Sequence, residues 1–74
     1  MTLDEAAKIL RKMYEHGYAS KEQTTQVHLF GIKYADFLDG MPLKEIALRA
    51  GISEAYQTEI RKGMKLSKYV RVVD

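Results

Sequence analysis

Apolar residues recur every three or four positions along the start of the chain. They are Leu3, Ala6, Ala7, Leu10, Met13 and Tyr14. This spacing places them on one face of a helix, with charged residues on the other. Thr2 and Glu5 form the T-x-x-E capping box that opens a helix, and Gly17 is suited to end it in a left-handed conformation. The pattern predicts a first helix over Leu3–His16.

A second helical pattern follows, and it is apolar around most of its circumference. Its inward positions are Val27, Phe30, Tyr34, Phe37 and Leu38. Residues 20–23 (SKEQ) offer another capping box, although the β-branched residues within 24–27 also have some preference for strands. Because Leu29 and Ile32 add apolar surface outside the stripe, we expect this helix to be buried in the core or in an interface. Gly31, which is costly inside a helix, predicts a place where another helix packs closely.

Two shorter helices are predicted after a break at residues 40–42, where Pro42 suits the first turn of the next helix. The third helix runs from about Leu43 to Ala50 and the fourth from about Glu54 to Lys62. Their inward residues are Leu43, Ile46, Ala47 and Ala50, then Ile52, Tyr56, Ile60 and Met64. Gly63 is the expected stop of the fourth helix.

The C-terminal segment has a different period. Tyr69, Arg71 and Val73 alternate with Val70 and Val72, and a period of two predicts a short strand. Such a strand would pair with the same segment of a second subunit or fold back as a small wing. We therefore expect one all-α domain over residues 1–74, with four helices and a short C-terminal β-strand.

The most informative spacing lies in residues 43–63, LKEIALRAGISEAYQTEIRKG. A small residue, Ala47, precedes Gly51 by four positions and lets two helices cross closely. Gly51 supplies the positive φ that a tight turn demands. Ile52 fills the corner, and Ser53 can cap the following helix by accepting a backbone N–H. This order of residues predicts a helix-turn-helix.

The segment resembles the helix-turn-helix of the phage-repressor (Xre-type) family over about a third of the chain. The matching positions are Ala47, Gly51, Ile52, Ser53, Tyr56, Thr58, Ile60 and Gly63. The departure is Gln57, where the family usually has an aliphatic residue that packs inward. The resemblance implies that the second helix of the motif enters the major groove of double-stranded DNA.

The resemblance also implies which residues meet DNA. The family's DNA-facing positions map onto Ser53, Glu54, Ala55, Thr58, Glu59 and Lys62. For bases we expect Ser53, Glu54, Gln57 and Thr58, since glutamine pairs with adenine and glutamate accepts from cytosine. For phosphates we expect Lys44, Arg49, Arg61, Lys62, Lys65 and Lys68. The acids among these positions count against DNA, because phosphates repel them.

The charge is unevenly distributed along the chain, although its total is only +2. Residues 1–42 hold five bases and six acids, a sum of −1, and residues 43–74 hold seven bases and four acids, a sum of +3. Residues 60–73 contain five bases and no acid. A basic block after a recognition helix suits a phosphate backbone, and it equally serves as a solvated surface of a small domain.

Other classes of function find little support in the residues. The chain has no cysteine, which fits the cytoplasm, and we expect no metal because His16 and His28 lack companion ligands. His16 is expected at the end of the first helix and His28 on the outer side of the second. No arrangement of acid, base or nucleophile suggests an enzyme, and neither a cofactor nor a small-molecule substrate is expected.

The sequence thus favours a small cytoplasmic transcriptional regulator that binds double-stranded DNA. A homodimer formed through the second helix or the tail would match two half-sites. The alternative is a protein-interaction adaptor or inhibitor that uses a helix-turn-helix fold to grip a protein. Glu54 and Glu59 on the predicted recognition face, and the apolar second helix, favour that alternative.

Overall fold

The chain forms five helices in the computed structural model, which describes residues 1–73. They are α1 Leu3–His16, α2 Gln23–Lys33, α3 Ala35–Leu38, α4 Leu43–Arg49 and α5 Tyr56–Leu66. The described residues contain no strand, so the all-α class is confirmed. None of these helices has the length and apolar character needed to cross a membrane.

The core lies where α2 packs between α1 and α5, with α4 packed against both of those helices. Its fully buried large side chains are Phe30, Leu10, Leu38, Ile46, Ile60 and Val27. Because α2 has a helix on each side, its apolar circumference is used inside its own fold. No polar or charged residue is buried among the described residues, so packing of apolar surface is what holds the helices together.

Helix α1 has the predicted bounds and the predicted cap. Glu5 N donates to Thr2 Oγ1 over 3.1 Å, and Thr2 N donates to Glu5 Oε1 over 2.8 Å. The left-handed conformation expected at Gly17 is wrong, because its φ is −83°. A methyl group on Gly17 would lie 2.8 Å from the backbone of Glu22, so close approach accounts for this glycine. The left-handed residue of the connection is Lys21, with φ of 57°.

The predicted second helix is divided into α2 and α3. Tyr34 interrupts it with φ of −112° and ψ of 19°. The ring centroids of Tyr34 and Phe30 lie 5.6 Å apart. The break changes the phase of the helix, so Leu38 is buried whereas Phe37, expected inward, is 58% exposed. The expected cap from Ser20 is also wrong, since α2 begins after Glu22 without a side-chain cap.

Gly31 lies at the predicted close approach between helices. A methyl group on Gly31 would lie 3.0 Å from the Cα of Gly63 and would overlap the carbonyl oxygen of Ile60. Gly63 is buried inside α5, so the expectation that it ends the helix is wrong. The helix continues to Leu66 because Gly63 faces α2 and keeps its helical hydrogen bonds.

The remaining boundaries differ by small amounts, apart from the tail. Helix α4 ends one residue early, and Pro42 is its N-cap instead of its first residue. Helix α5 starts two residues late. The predicted strand is wrong within residues 70–73, because no neighbouring strand pairs with them. The last helical hydrogen bond is the one that Val70 N donates to Leu66 O. Asp74, also part of that expectation, lies outside the described residues.

Candidate nucleic-acid interface

Helix α4, the turn after it and α5 have the geometry of a helix-turn-helix. Gly51 has φ of 77°, as the spacing predicts. Ile52 N donates to Ala47 O over 3.1 Å and Gly51 N donates to Leu48 O over 3.0 Å. These two bonds are the Schellman pattern that ends a helix at a left-handed glycine. Ala47 and Ile52 are both buried, which fixes the angle between the two helices.

Helix α5 is preceded by a tight turn that Ser53 stabilises. The Ser53 hydroxyl accepts from Ala55 N over 3.2 Å, and its carbonyl accepts from Tyr56 N over 3.1 Å. The prediction that Ser53 caps the helix is wrong, because the N-cap of α5 is Ala55 and has no side-chain cap, and the Ser53 bond lies in the turn before the helix. The Ser53 hydroxyl accepts this bond through a lone pair and keeps its own proton to donate, so the bond is compatible with the predicted contact to a base.

The start of α5 is also anchored to α1 through an aromatic pair. The rings of Tyr14 and Tyr56 meet edge to face with centroids 5.3 Å apart, and their hydroxyl oxygens lie 3.5 Å apart. The hydrogen bond with Tyr56 and partial burial raise the pKa of Tyr14 to about 12. This contact stabilises the neutral, protonated form of Tyr14, and it packs the first turn of α5 against α1.

One face of α5 is exposed and basic. Thr58, Arg61, Lys62 and Lys65 follow the spacing i, i+3, i+4 and i+7, which aligns them along one side of the helix. All four are exposed, whereas Ile60 and Gly63 on the opposite side are buried. Lys68 follows just beyond the end of α5 and is exposed as well. We refer to Thr58, Arg61, Lys62, Lys65 and Lys68 as the outer face of α5.

The residues predicted to meet bases are not equally accessible. Ser53, Glu54 and Thr58 are exposed, and Gln57 is half-buried. The carboxylate oxygen Oε2 of Glu54 lies 3.6 Å from Lys44 Nζ. This ion pair links the start of α4 to the turn before α5. The glutamate charge that would repel phosphate is thus partly neutralised within the chain.

Besides Lys44, two more of the predicted phosphate ligands are bound to carboxylates. Arg49 Nη1 lies 2.9 Å from Asp4 Oδ1 and Arg49 Nε lies 3.0 Å from Glu45 Oε1. These bonds, first the one to Glu45, raise the pKa of Arg49. Lys62 Nζ lies 3.1 Å from Glu59 Oε2. Within residues 1–73, Arg61, Lys65 and Lys68 have no ion pair, so their charges face solvent.

His28 differs from its expected position on the outer side of α2. Its Nε2 lies 3.2 Å from Glu59 Oε1, across the contact between α2 and α5. Glu59 therefore has two basic neighbours, and the bonds from Lys62 and then His28 lower its pKa. A carboxylate held in this way restrains Lys62 at the edge of the outer face of α5. His16, by contrast, is exposed in the last turn of α1, as expected.

Sequence reasoning missed a second group of basic side chains. They line a groove of about 540 Å³ between α1 and the turn after α4, together with Asp4 and Glu15. The basic members are Lys8, Arg11, Lys12 and Arg49. The helical spacing of the three residues from α1 could have revealed their common side. Nothing in the spacing indicates that Arg49 joins them, because it is distant in sequence.

Comparison with known families agrees with this geometry. A family model described as an HTH-like domain matches residues 2–73, nearly the whole chain. The chain belongs to the HTH-like domain family. No curated protein and no solved structure matches it. In this HTH-like domain, the turn at Gly51 and the packing of α5 against α2 present the outer face of α5 to solvent.

Proposed function

We propose that this HTH-like domain binds double-stranded DNA in a sequence-specific way, as a small transcriptional regulator of the phage-repressor type. The observation that carries the proposal is the outer face of α5, where Arg61, Lys65 and Lys68 are exposed and lack ion pairs within residues 1–73. Exposed cations without ion pairs attract the negative charge of a phosphate backbone and release its counterions on binding. An α-helix of this kind fits the width of the major groove.

The roles within the interface follow from exposure. Thr58, in the first turn of α5 on its exposed side, and Gln57 beside it meet base edges, and Glu54 accepts from cytosine. Arg61, Lys65 and Lys68 contact phosphates, and Lys62 joins them when it leaves Glu59. Lys44, near Glu54 at the start of α4, contacts the backbone at the other end. Arg49 is set apart from the other expected ligands, because it lines a groove together with residues of α1.

A homodimer is a further part of this proposal, since two subunits would read two half-sites. Helix α2 is enclosed by α1 and α5, so it offers little surface for pairing. The exposed apolar residues of the tail, Tyr69, Val70 and Val73, are the better surface.

Charge-removing variants on the outer face of α5 test the proposal. Arg61→Gln and Lys65→Gln keep good helix formers and remove one charge each. Each is expected to weaken binding to all duplex sequences and to reduce the salt slope by about 1. Lys21→Asn is the matched control, because it removes one charge in the left-handed position of a loop away from this face. Equal affinity of wild type, both variants and the control would contradict the proposal.

The alternative function, a protein adaptor, is favoured by one observation. Leu48 on α4 and Leu66 on α5 are 50% and 44% exposed, which is apolar surface that a protein partner would cover. Binding of a protein partner that does not weaken with salt and that is lost in the Leu66→Gln variant would support the adaptor.

A further inference from the structure

The groove between α1 and the turn after α4 has a net positive lining. Four bases and two acids line it, a difference of +2. The bases are Lys8, Arg11, Lys12 and Arg49, and the acids are Asp4 and Glu15. Three of the bases come from α1, so this group is separate from the outer face of α5. We refer to it as the α1 groove.

Arg11 is held in the α1 groove by three acceptors. Its Nη1 lies 3.4 Å from both Ala50 O and Gly51 O, the carbonyl groups at the end of α4. Its Nε lies 3.4 Å from Glu15 Oε2. Within residues 1–73 these contacts leave its second terminal amino group, Nη2, without a hydrogen-bond partner. The guanidinium is thus fixed in place and still has donors to offer.

Arg49 is fixed in the same manner on the opposite wall of the groove. Asp4 binds its Nη1 at 2.9 Å and Glu45 binds its Nε at 3.0 Å. Its Nη2 likewise has no partner among the described residues. Asp4, Glu15 and Glu45 each bind an arginine, so the arginines offer fixed donors while the positive charge left for a ligand is that of Lys8 and Lys12.

We propose that the α1 groove binds a phosphate group through Arg11 and Arg49, with Lys8 and Lys12 completing the charge. Two guanidinium groups held by other bonds present fixed donors, and this lowers the ordering cost of binding a tetrahedral anion. Lys8 and Lys12 stand one helical turn apart on α1, are exposed, and have no ion pair within residues 1–73. The groove, at about 540 Å³, has room for more than the phosphate alone.

The phosphate comes from one of two sources, a nucleic-acid backbone or a free phosphorylated small molecule. The inference does not rest on the proposed function, because the groove and the outer face of α5 share no residue, and Arg49 alone of the expected phosphate ligands lines the groove. The test is ¹⁵N NMR of the whole chain, with random-sequence duplex DNA and inorganic pyrophosphate as the two ligands added. The reporters are the Nε–H groups of Arg11 and Arg49 and the amide of Gly51, while Thr58 reports separately on α5.

The expected result is a saturable shift of the arginine reporters with at least one ligand. A shift with duplex assigns the groove to a nucleic-acid backbone, and a shift with pyrophosphate alone assigns it to a free phosphorylated molecule. Lys8→Gln combined with Lys12→Gln is expected to weaken that binding about tenfold, as loss of charged hydrogen bonds does. The control, Lys21→Asn, is expected to leave it unchanged.

Two results would overturn the inference. One is a spectrum in which Arg11 and Arg49 do not move with either ligand. The other is an equal affinity in the Lys8→Gln, Lys12→Gln variant and the wild type. If Thr58 shifts with duplex while both arginines stay still with duplex and with pyrophosphate, the groove proposal fails and the DNA-binding proposal survives. If no reporter moves, both fail.

Discussion

Gly31 and Gly63 face each other where α2 crosses α5. A methyl group on Gly63 would lie 3.0 Å from the Cα of Gly31 and would overlap the carbonyl oxygen of His28. The neighbours on both sides are backbone atoms, which cannot move aside as a flexible side chain can. This contact sets the distance between the helix that fills the core and the helix proposed to meet DNA.

Gly63→Ala is expected to destabilise the fold despite the better helix propensity of alanine. Overpacking against backbone costs about 2 kcal/mol or more, whereas the propensity gain is about 1 kcal/mol. In a domain of this size the loss is a large part of the free energy of unfolding. Urea unfolding followed by circular dichroism measures it.

Gly40→Ala is the control for that experiment. Gly40 has a positive φ of 84°, unlike Gly63, and a methyl group there meets no atom within 4 Å. Its expected cost is only the left-handed backbone, about 1 kcal/mol. A Gly63→Ala protein that is as stable as wild type, or more stable, would contradict the close crossing of α2 and α5.

Glu59→Gln is expected to strengthen DNA binding. The Glu59 carboxylate lies 3.1 Å from Lys62 Nζ and holds it back from phosphate. Exposed ion pairs are worth up to about 1 kcal/mol, so the gain in affinity is at most about fivefold. Fluorescence anisotropy with a labelled random duplex at low salt measures the change.

Two further variants separate release of Lys62 from a general loss of negative charge. Glu22→Gln removes a carboxylate from the exposed residue before α2 and is expected to change affinity less. In a Lys62→Gln background, Glu59→Gln is expected to lose most of its effect. An undiminished gain in that background would show that Glu59 does not act through Lys62.

Stability is expected to fall in alkaline solution because of Tyr14. The hydrogen bond with Tyr56 raises the pKa of Tyr14 from 10.0 to about 12 in the folded chain. The folded state therefore holds this proton more tightly than the unfolded state does. The stabilisation is complete below pH 10 and is lost as the pH rises towards 12.

Tyr14→Phe tests this alkaline loss by urea unfolding across that range of pH. The variant is expected to be less stable than wild type below pH 10, and the difference is expected to shrink as the pH rises. Tyr69→Phe, at a side chain that is 83% exposed, is the control. A difference between Tyr14→Phe and wild type that does not depend on pH would contradict the role of the Tyr14 hydroxyl.

The sequence predicts best what is decided locally. The capping box of Thr2 and Glu5 and the regular apolar spacing specify α1, and both bounds are as expected. The left-handed Gly51 and the buried Ile52 follow from the motif in the same way. The fold class and the helix-turn-helix could therefore be predicted without coordinates.

What the sequence could not supply depends on partners far away in the chain. A glycine near the end of a helix reads as a stop, and only the presence of α2 shows that Gly63 is a crossing point. The tail has the period of a strand, yet no strand pairs with residues 70–73. In the site, the outer face of α5 follows from spacing, whereas the bonds from Glu59 to His28 and from Arg49 to Asp4 do not.

The central claim is that the outer face of α5 binds a phosphate backbone. The most direct measurement is a titration of labelled random-sequence duplex with the whole chain at about 50 and 200 mM salt. Three free cations predict a slope of about −2.7 in log K against log salt, or a loss of affinity of about 40-fold between the two conditions. Absence of binding at the lower salt, or an affinity that salt does not change, would contradict the claim.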